Sequence, residues 1–265
     1  MMSARMSTLA SLRGDIARVE THDGAYQPAR VALGHAEADA VLQGGLARGA
    51  MHEVFTEAGR QSAAATGFIA GLAGRVAARR PLLWVRQDFA EREAGALSMS
   101  GFAELGLNPR AVVSVRAPDS ETALRTAADA LACDALGAVV LELWGETRQL
   151  DLVASRKLTL AAQASGVPAL LLRIAATPSP STAETRWIVR GAHSPPTAQW
   201  QAWGAPVFDA ELIRNRHGLL GRWIMEWKCD ECLFAQQAAD SQSLAAAPAH
   251  RSHPAEARTR QRRLG

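Results

Sequence analysis

The chain has only three cysteines, one tyrosine and, with 29 basic against 26 acidic residues, almost no excess of charge. Each scarcity excludes something. Cys133, Cys229 and Cys232 are too few for a disulfide framework, which points to a reducing compartment, the cytoplasm. No uninterrupted apolar run approaches the ~20 residues that a membrane helix needs. The first residues include Arg5 but no apolar stretch behind it, so no secretory signal is expected. A net charge of +3 makes no global electrostatic case for wrapping nucleic acid. That excess also sits in one place. Residues 235–265 hold Arg251, Arg258, Arg260, Arg262 and Arg263 against Asp240 and Glu256, which leaves the body neutral. Rich in Ala, Ser, Gln and Arg, this basic tail is expected to be disordered, either as a solubilising end or as a non-specific contact for phosphates.

What is present is the composition of a folded protein: 48% hydrophobic and 21% charged over 265 residues, enough for one sizeable domain with a small appendage. Met6, Leu9, Leu12, Ile16 and Val19 recur at spacings of three and four, so residues 1–29 read as an N-terminal helix and linker. An alternation follows. Strands are expected at 51–55, 81–85, 111–115, 138–143 and 169–174. Helices are expected at 62–80, 90–105, 120–136 (with Ser120 as N-cap) and 150–165. Strands separated by helices of this length imply crossover units. The fold class for 30–191 is therefore α/β, a doubly wound, mainly parallel sheet flanked by helices.

The character changes after that. Pro178, Pro180, Pro195 and Pro196 punctuate the chain, and 184–190 reads as a late antiparallel strand. Five of the seven tryptophans (Trp187, Trp200, Trp203, Trp223 and Trp227) fall close together here. Residues 192–234 are expected to form a small Trp-rich β extension. Its indoles either seal a hairpin subdomain of their own or present an aromatic docking surface.

A glycine-dense segment, then a strand, a loop and a helix, is the order in which a phosphate-binding nucleotidase begins. Such a loop reads G-x-x-x-x-G-K-[ST], its lysine meeting the terminal phosphates and its hydroxyl holding Mg²⁺. Here the stretch is Thr56-Glu57-Ala58-Gly59-Arg60-Gln61-Ser62, with one glycine and no Gly-Lys pair. A helix N-terminus remains and attracts anions. Without the lysine and the metal ligand, though, triphosphate hydrolysis lacks its main electrostatic support, and Arg60 is a poor substitute for a flexible lysine. Glu142 stands on a later strand where a metal-holding aspartate belongs, and is read as a strand-end carboxylate paired with a neighbour. Asp88 and Glu91 are read as solvated loop acids. Gly59, Arg60, Ser62 and Glu142 thus form a vestigial nucleotide site, with no catalytic residue and no cofactor.

The run Leu33-Gly34, Asp39, Leu42, Gly44-Gly45-Leu46, Arg48-Gly49 and His52-Glu53 resembles the segment leading into the phosphate loop of RecA-like recombinases. Further pieces are His52-Glu53-Val54-Phe55 with Ala63-Ala64-Ala65-Thr66-Gly67-Phe68, Arg156-Lys157-Leu158, and Ser165-Gly166-Val167-Pro168-Ala169-Leu170. Later come Glu184-Thr185-Arg186-Trp187, Arg214-Asn215-Arg216-His217-Gly218, Gly221-Arg222-Trp223 and Glu226-Trp227. Together they resemble the ImuA family, from about residue 8 to residue 234. The resemblance implies a RecA-like fold and a role in DNA-damage-induced mutagenesis within the SOS response. The implied partners are an ImuB-type Y-family polymerase relative and an error-prone replicative-type DNA polymerase, with a connection to RecA. It also implies an N-terminal element that docks onto a neighbouring core, the alternative being a helix folded onto its own domain.

Two constellations remain. Cys229-Asp230-Glu231-Cys232 has the spacing of half a zinc knuckle without the other half, so no metal site is expected. Arg214, Arg216, His217 and Arg222 lie beside Trp223 and Trp227, a set that either holds single-stranded DNA by phosphate contact and stacking or packs internally. The expectation is a non-enzymatic adaptor of translesion synthesis. The alternatives are a DNA-dependent ATPase with a divergent loop and a SulA-like cell-division inhibitor.

Overall fold

Short apolar runs bounded by proline, glycine or charge become strands, and the longer segments between them become helices. The computed structural model describes residues 29–57, 59–196 and 204–237. The stripe at 6–19, Trp200, Trp203 and the tail beyond residue 237 therefore lie outside the described residues. A small antiparallel pair, β1 (Arg30–Val31) and β2 (Leu46–Ala47), frames helix α1 (Ala36–Val41). The main sheet begins with β3 (Met51–Thr56), followed by a 3₁₀ turn (Gly59–Gln61) and helix α2 (Ser62–Ala77). Then come β4 (Leu82–Gln87), α3 (Asp88–Ala94), α4 (Met99–Glu104) and β5 (Val112–Ala117). Helix α5 (Ser120–Leu131), β6 (Ala138–Trp144), α6 (Leu152–Ser165) and β7 (Ala169–Ile174) complete the alternation. The chain closes with β8 (Thr185–Gly191), β9 (Val207–Asn215), β10 (Gly221–Lys228) and β11 (Leu233–Gln236).

These strands form one nine-stranded sheet in the order β11-β10-β9-β8-β3-β7-β6-β4-β5. From β8 to β5 every pairing is parallel; from β8 outward to β11 every pairing is antiparallel. The α/β class read from the sequence is the class observed, and three local expectations need correcting. The helix expected at 90–105 is two helices, because Gly95 turns to φ +79° and ends α3, and Ser98 then caps α4 by accepting from the Gly101 amide. The N-cap of α5 is Asp119, which accepts from the Thr122 amide at 2.7 Å, rather than Ser120. The late strand β8 runs parallel to β3, not antiparallel.

That last reversal has a visible cause. The connection across residues 175–184 contains no helix and is fastened over the face of β3 by polar contacts. Ser181 Oγ donates to Glu53 Oε2 at 2.8 Å, the Thr182 amide donates to Ser155 Oγ at 2.8 Å, and the Arg186 guanidinium donates to the Ser179 carbonyl at 2.6 Å. A loop satisfied in this way can make a parallel crossover that usually needs a helix.

Both faces of the sheet are buried at β3, β7, β6 and β4. On one face α5 and α6, through Leu124, Leu131 and Leu158, pack over Leu141, Leu143 and Leu171. On the other, α2 packs Phe68 and Ile69 into an aromatic core of Trp187, Phe208, Trp227 and Phe234. Each large side chain buried this way contributes roughly 1.5–3 kcal/mol. The core extends under β9, β10 and β11, so the tryptophans seal the common core and not a subdomain of their own. The 192–234 extension continues the sheet edge to edge.

Candidate functional site

The place to look for a phosphate-binding loop is the carboxyl end of β3, where the chain turns into α2. Gly59 sits against the indole of Trp144 so tightly that a Cβ there would come within 2.8 Å of Cζ2. Gln61, the N-cap of α2, puts no side-chain oxygen on the helix; its Oε1 instead accepts from the Gly191 amide at 2.9 Å. Glu57 pairs with Arg190 at 3.1 Å. Arg60 is exposed and makes no ion pair among the described residues, and Ser62 opens the helix.

Glu142 is fully committed. It is 0% exposed, accepts from Trp84 Nε1 at 2.8 Å and from Arg86 Nη2 at 2.9 Å, and lies 2.8 Å from Arg86 Nε. The register of β4 on β6 sets Arg86 directly beside Glu142. The sequence reading of this carboxylate as a paired strand residue fits that geometry; a metal ion at this oxygen pair would have to displace a buried guanidinium. Asp88 and Glu91 both bind Arg116, at 2.9 and 3.2 Å. Beside the first turns of α2 lies a cavity of about 880 Å³, lined among others by Ser62, Thr66, Arg86, Phe102, Phe208 and Cys229.

The basic cluster is elsewhere. Asn215, at the end of β9, pairs with Thr185, which pairs with His52 near the start of β3; Gly59 follows the other end of that strand. Arg214, Arg216 and His217 therefore lie at the opposite end of the sheet from Gly59, Arg60 and Ser62, and the structure does not bring the two sets together. Arg222 is held by Asp209 through two bonds of 2.7 and 2.6 Å, which keeps the Asp209 carboxyl below its ordinary range. Of the two readings of Trp223 and Trp227, stacking faces for single-stranded DNA or internal packing, the structure shows internal packing. Trp223 is 9% and Trp227 1% exposed, and Trp227 spends its indole N–H on the Leu105 carbonyl at 2.9 Å. A face buried in the core has no room for a base.

Cys232 donates to the Gly106 carbonyl at 3.3 Å, and burial raises the Cys229 thiol above its ordinary range. Among the described residues no three His, Cys, Asp or Glu side chains group as metal ligands, and no helix is long and apolar enough to cross a membrane. Sequence reasoning missed the buried polar chain on β3. Trp187 Nε1 donates to Thr185 Oγ1 (3.1 Å), Thr185 meets His52 Nδ1 (2.8 Å), and His52 Nε2 meets the Ala47 carbonyl (2.9 Å). Burial pushes the His52 imidazole below its ordinary pKa. Next to it Glu53 binds Arg186 at 2.8 Å, and the guanidinium groups of Arg173 and Arg186 both lie about 5.5 Å from the centre of the Phe55 ring. The available signal was two consecutive polar residues, His52-Glu53, inside an otherwise apolar strand.

No family model matches the chain. It is 30% identical over 198 residues to Protein ImuA of Caulobacter vibrioides, in strain NA1000 and in strain CB 15, a match covering 69% of this chain and 77% of each relative. The chain belongs to the ImuA family. In this ImuA-family chain Glu142 lies in the interior of the sheet, 0% exposed, while Arg60 in the β3–α2 turn is exposed.

Proposed function

We propose that this ImuA-family chain takes part in DNA-damage-induced mutagenesis as a non-catalytic adaptor of translesion synthesis. In this proposal it joins an ImuB-type Y-family polymerase relative and an error-prone replicative-type DNA polymerase, with RecA as a further contact. It works in the cytoplasm and sits at the nucleoid when engaged. The observation that supports the non-catalytic part most directly is the state of Glu142. Where a RecA-like ATPase needs a free carboxylate for its metal, this chain has a buried ion pair, and no Gly-Lys precedes α2.

The test combines two measurements on the full chain. Hydrolysis of ATP with Mg²⁺ and single-stranded DNA is expected to stay at the buffer rate. Tagged protein captured from DNA-damaged cells is expected to bring down the ImuB-type protein or the error-prone polymerase. Recombinase-like turnover would remove the non-catalytic reading, and capture of neither protein would remove the adaptor reading. A second reading, nucleotide binding without hydrolysis, draws on the cavity beside α2 and the exposed Arg60. It predicts a rise in melting temperature with millimolar ATP that Arg60→Ala abolishes.

A further inference from the structure

Helix α6 carries polar and apolar residues on both of its faces. Its inward face carries Ser155 and Thr159, 1% and 8% exposed, next to Leu158 and Ala162. The two hydroxyls are satisfied by Thr182, at 2.9 and 2.6 Å, on the loop that fastens the parallel crossover. Its outward face carries Leu152, Val153 and Leu160, which are 55%, 62% and 50% exposed. An amphipathic helix of a monomer places its aliphatics inward and its polar residues outward. Positions 153, 156, 157, 160 and 164 follow helical spacing, so the outward aliphatics form one stripe with Arg156 and Lys157 set inside it. Both cations are exposed, and neither makes an ion pair or side-chain hydrogen bond among the described residues.

We infer that this face of α6 is a docking surface for an acidic amphipathic segment of a partner protein. The exposed aliphatics supply a surface that gains from being covered, and the two unpaired cations within it select the sign of what covers it. A second copy fits poorly, because two such faces packed together would set Arg156 and Lys157 against their own counterparts. Nucleic acid has a use for two cations but none for three aliphatic side chains. The helix is firmly seated through Leu158, Ala162 and the Thr182 bonds, so docking orders little that is not already ordered. Placing that partner in the translesion assembly rests on the reading above; the surface itself does not.

The probe is a labelled synthetic amphipathic peptide with leucines one helical turn apart flanked by glutamates, and its counterpart with lysines in place of glutamates. Fluorescence anisotropy with the full chain is expected to show binding of the acidic peptide only. Leu160→Asp, and separately Arg156→Glu with Lys157→Glu, should each weaken it by about tenfold or more, with melting temperatures unchanged. The charge-reversed protein should now take the lysine peptide. Equal binding of both peptides, or no loss in Leu160→Asp, overturns the proposal. So does a dimer that Leu160→Asp dissociates in sedimentation, which would assign the face to a second copy. Binding that appears only after removal of residues 1–28 assigns it to the chain's own N-terminal segment and also overturns it. Competition by single-stranded DNA that Leu160→Asp leaves intact has the same effect. In damaged cells, retention of the translesion proteins by Leu160→Asp overturns this surface as their dock and leaves the adaptor reading standing. Their absence from the wild-type capture removes that reading, and the peptide result still decides the surface.

Discussion

The two halves of the sheet treat charge differently. In the parallel half, both faces are buried at β3, β7, β6 and β4, and the strand residues Arg86, Glu142, Glu53 and Arg173 are each 3% exposed or less. In the antiparallel half only one face is covered. Strand β10 alternates Trp223, Met225 and Trp227 inward with Arg222, Ile224, Glu226 and Lys228 outward, so Arg222 faces water and its partner Asp209 lies half-way, at 12% side-chain exposure. The same chemical pair is therefore costlier to break in one half than in the other, since burial decides what an unpaired partner is left with. A carboxylate that a nucleotidase would expose at the end of a parallel strand has here been absorbed into the interior.

The largest effect that would test this contrast is Glu142→Leu, which leaves the Arg86 guanidinium buried beside an apolar side chain. It should destabilise the fold by about 3–5 kcal/mol in denaturant unfolding, and the double change with Arg86→Met should recover much of the loss. Loss of only a few tenths would show that water reaches this pair. Next comes Gly71→Ala in α2, where a Cβ would lie 2.8 Å from Phe234 and 3.0 Å from Trp227. Overpacking outweighs the gain in helix propensity, and a net loss of about 1–2 kcal/mol is expected from the same melts. A stabilised variant would mean that the aromatic core under β10 and β11 yields easily.

A smaller effect comes from pH. The unfolded chain protonates His52 near its ordinary value of about 6.5, while the folded chain holds it neutral below that. The unfolded state therefore binds more protons, so this part of the stability is complete above that value and falls as pH drops through it. Melting temperatures followed downward from neutral pH should show the fall, and His52→Gln should flatten it. A wild-type curve already flat through this range would contradict the buried neutral imidazole. Arg222→Ala should cost less than Glu142→Leu and lose part of its effect at high salt, because the guanidinium it removes is 58% exposed, while the carboxylate left behind, Asp209, is 12% exposed and not sealed in the core. A large, salt-independent loss would erase the difference between the halves.

The elements themselves were legible because their signals are local. Ala138 to Leu141 and Ala169 to Leu172 are apolar without interruption, as strands covered on both faces must be. The missing Gly-Lys pair was equally plain. The direction of β8 was not, since it depends on hydrogen bonds from Ser181, Thr182 and Arg186 to residues far away in the chain. Nor was the burial of Trp223 and Trp227, whose alternation with Arg222 and Glu226 fits a surface hairpin as well as a sheet edge laid over α2. The inward hydroxyls of α6 look like ordinary surface residues until Thr182 is seen beside them.

The sequence by itself determined the α/β class, the alternation of strands and helices through β7 and the lack of a Gly-Lys pair before α2, because periodicity and motif spacing act over a few neighbouring residues. Tertiary structure alone decided that the last strands extend one sheet, that Glu142 is bound by Arg86 and Trp84, and that α6 leaves Leu152, Val153 and Leu160 in solvent while burying Ser155 and Thr159. Each of these depends on which distant groups share a buried space, and low-dielectric burial is what converts such a meeting into energy.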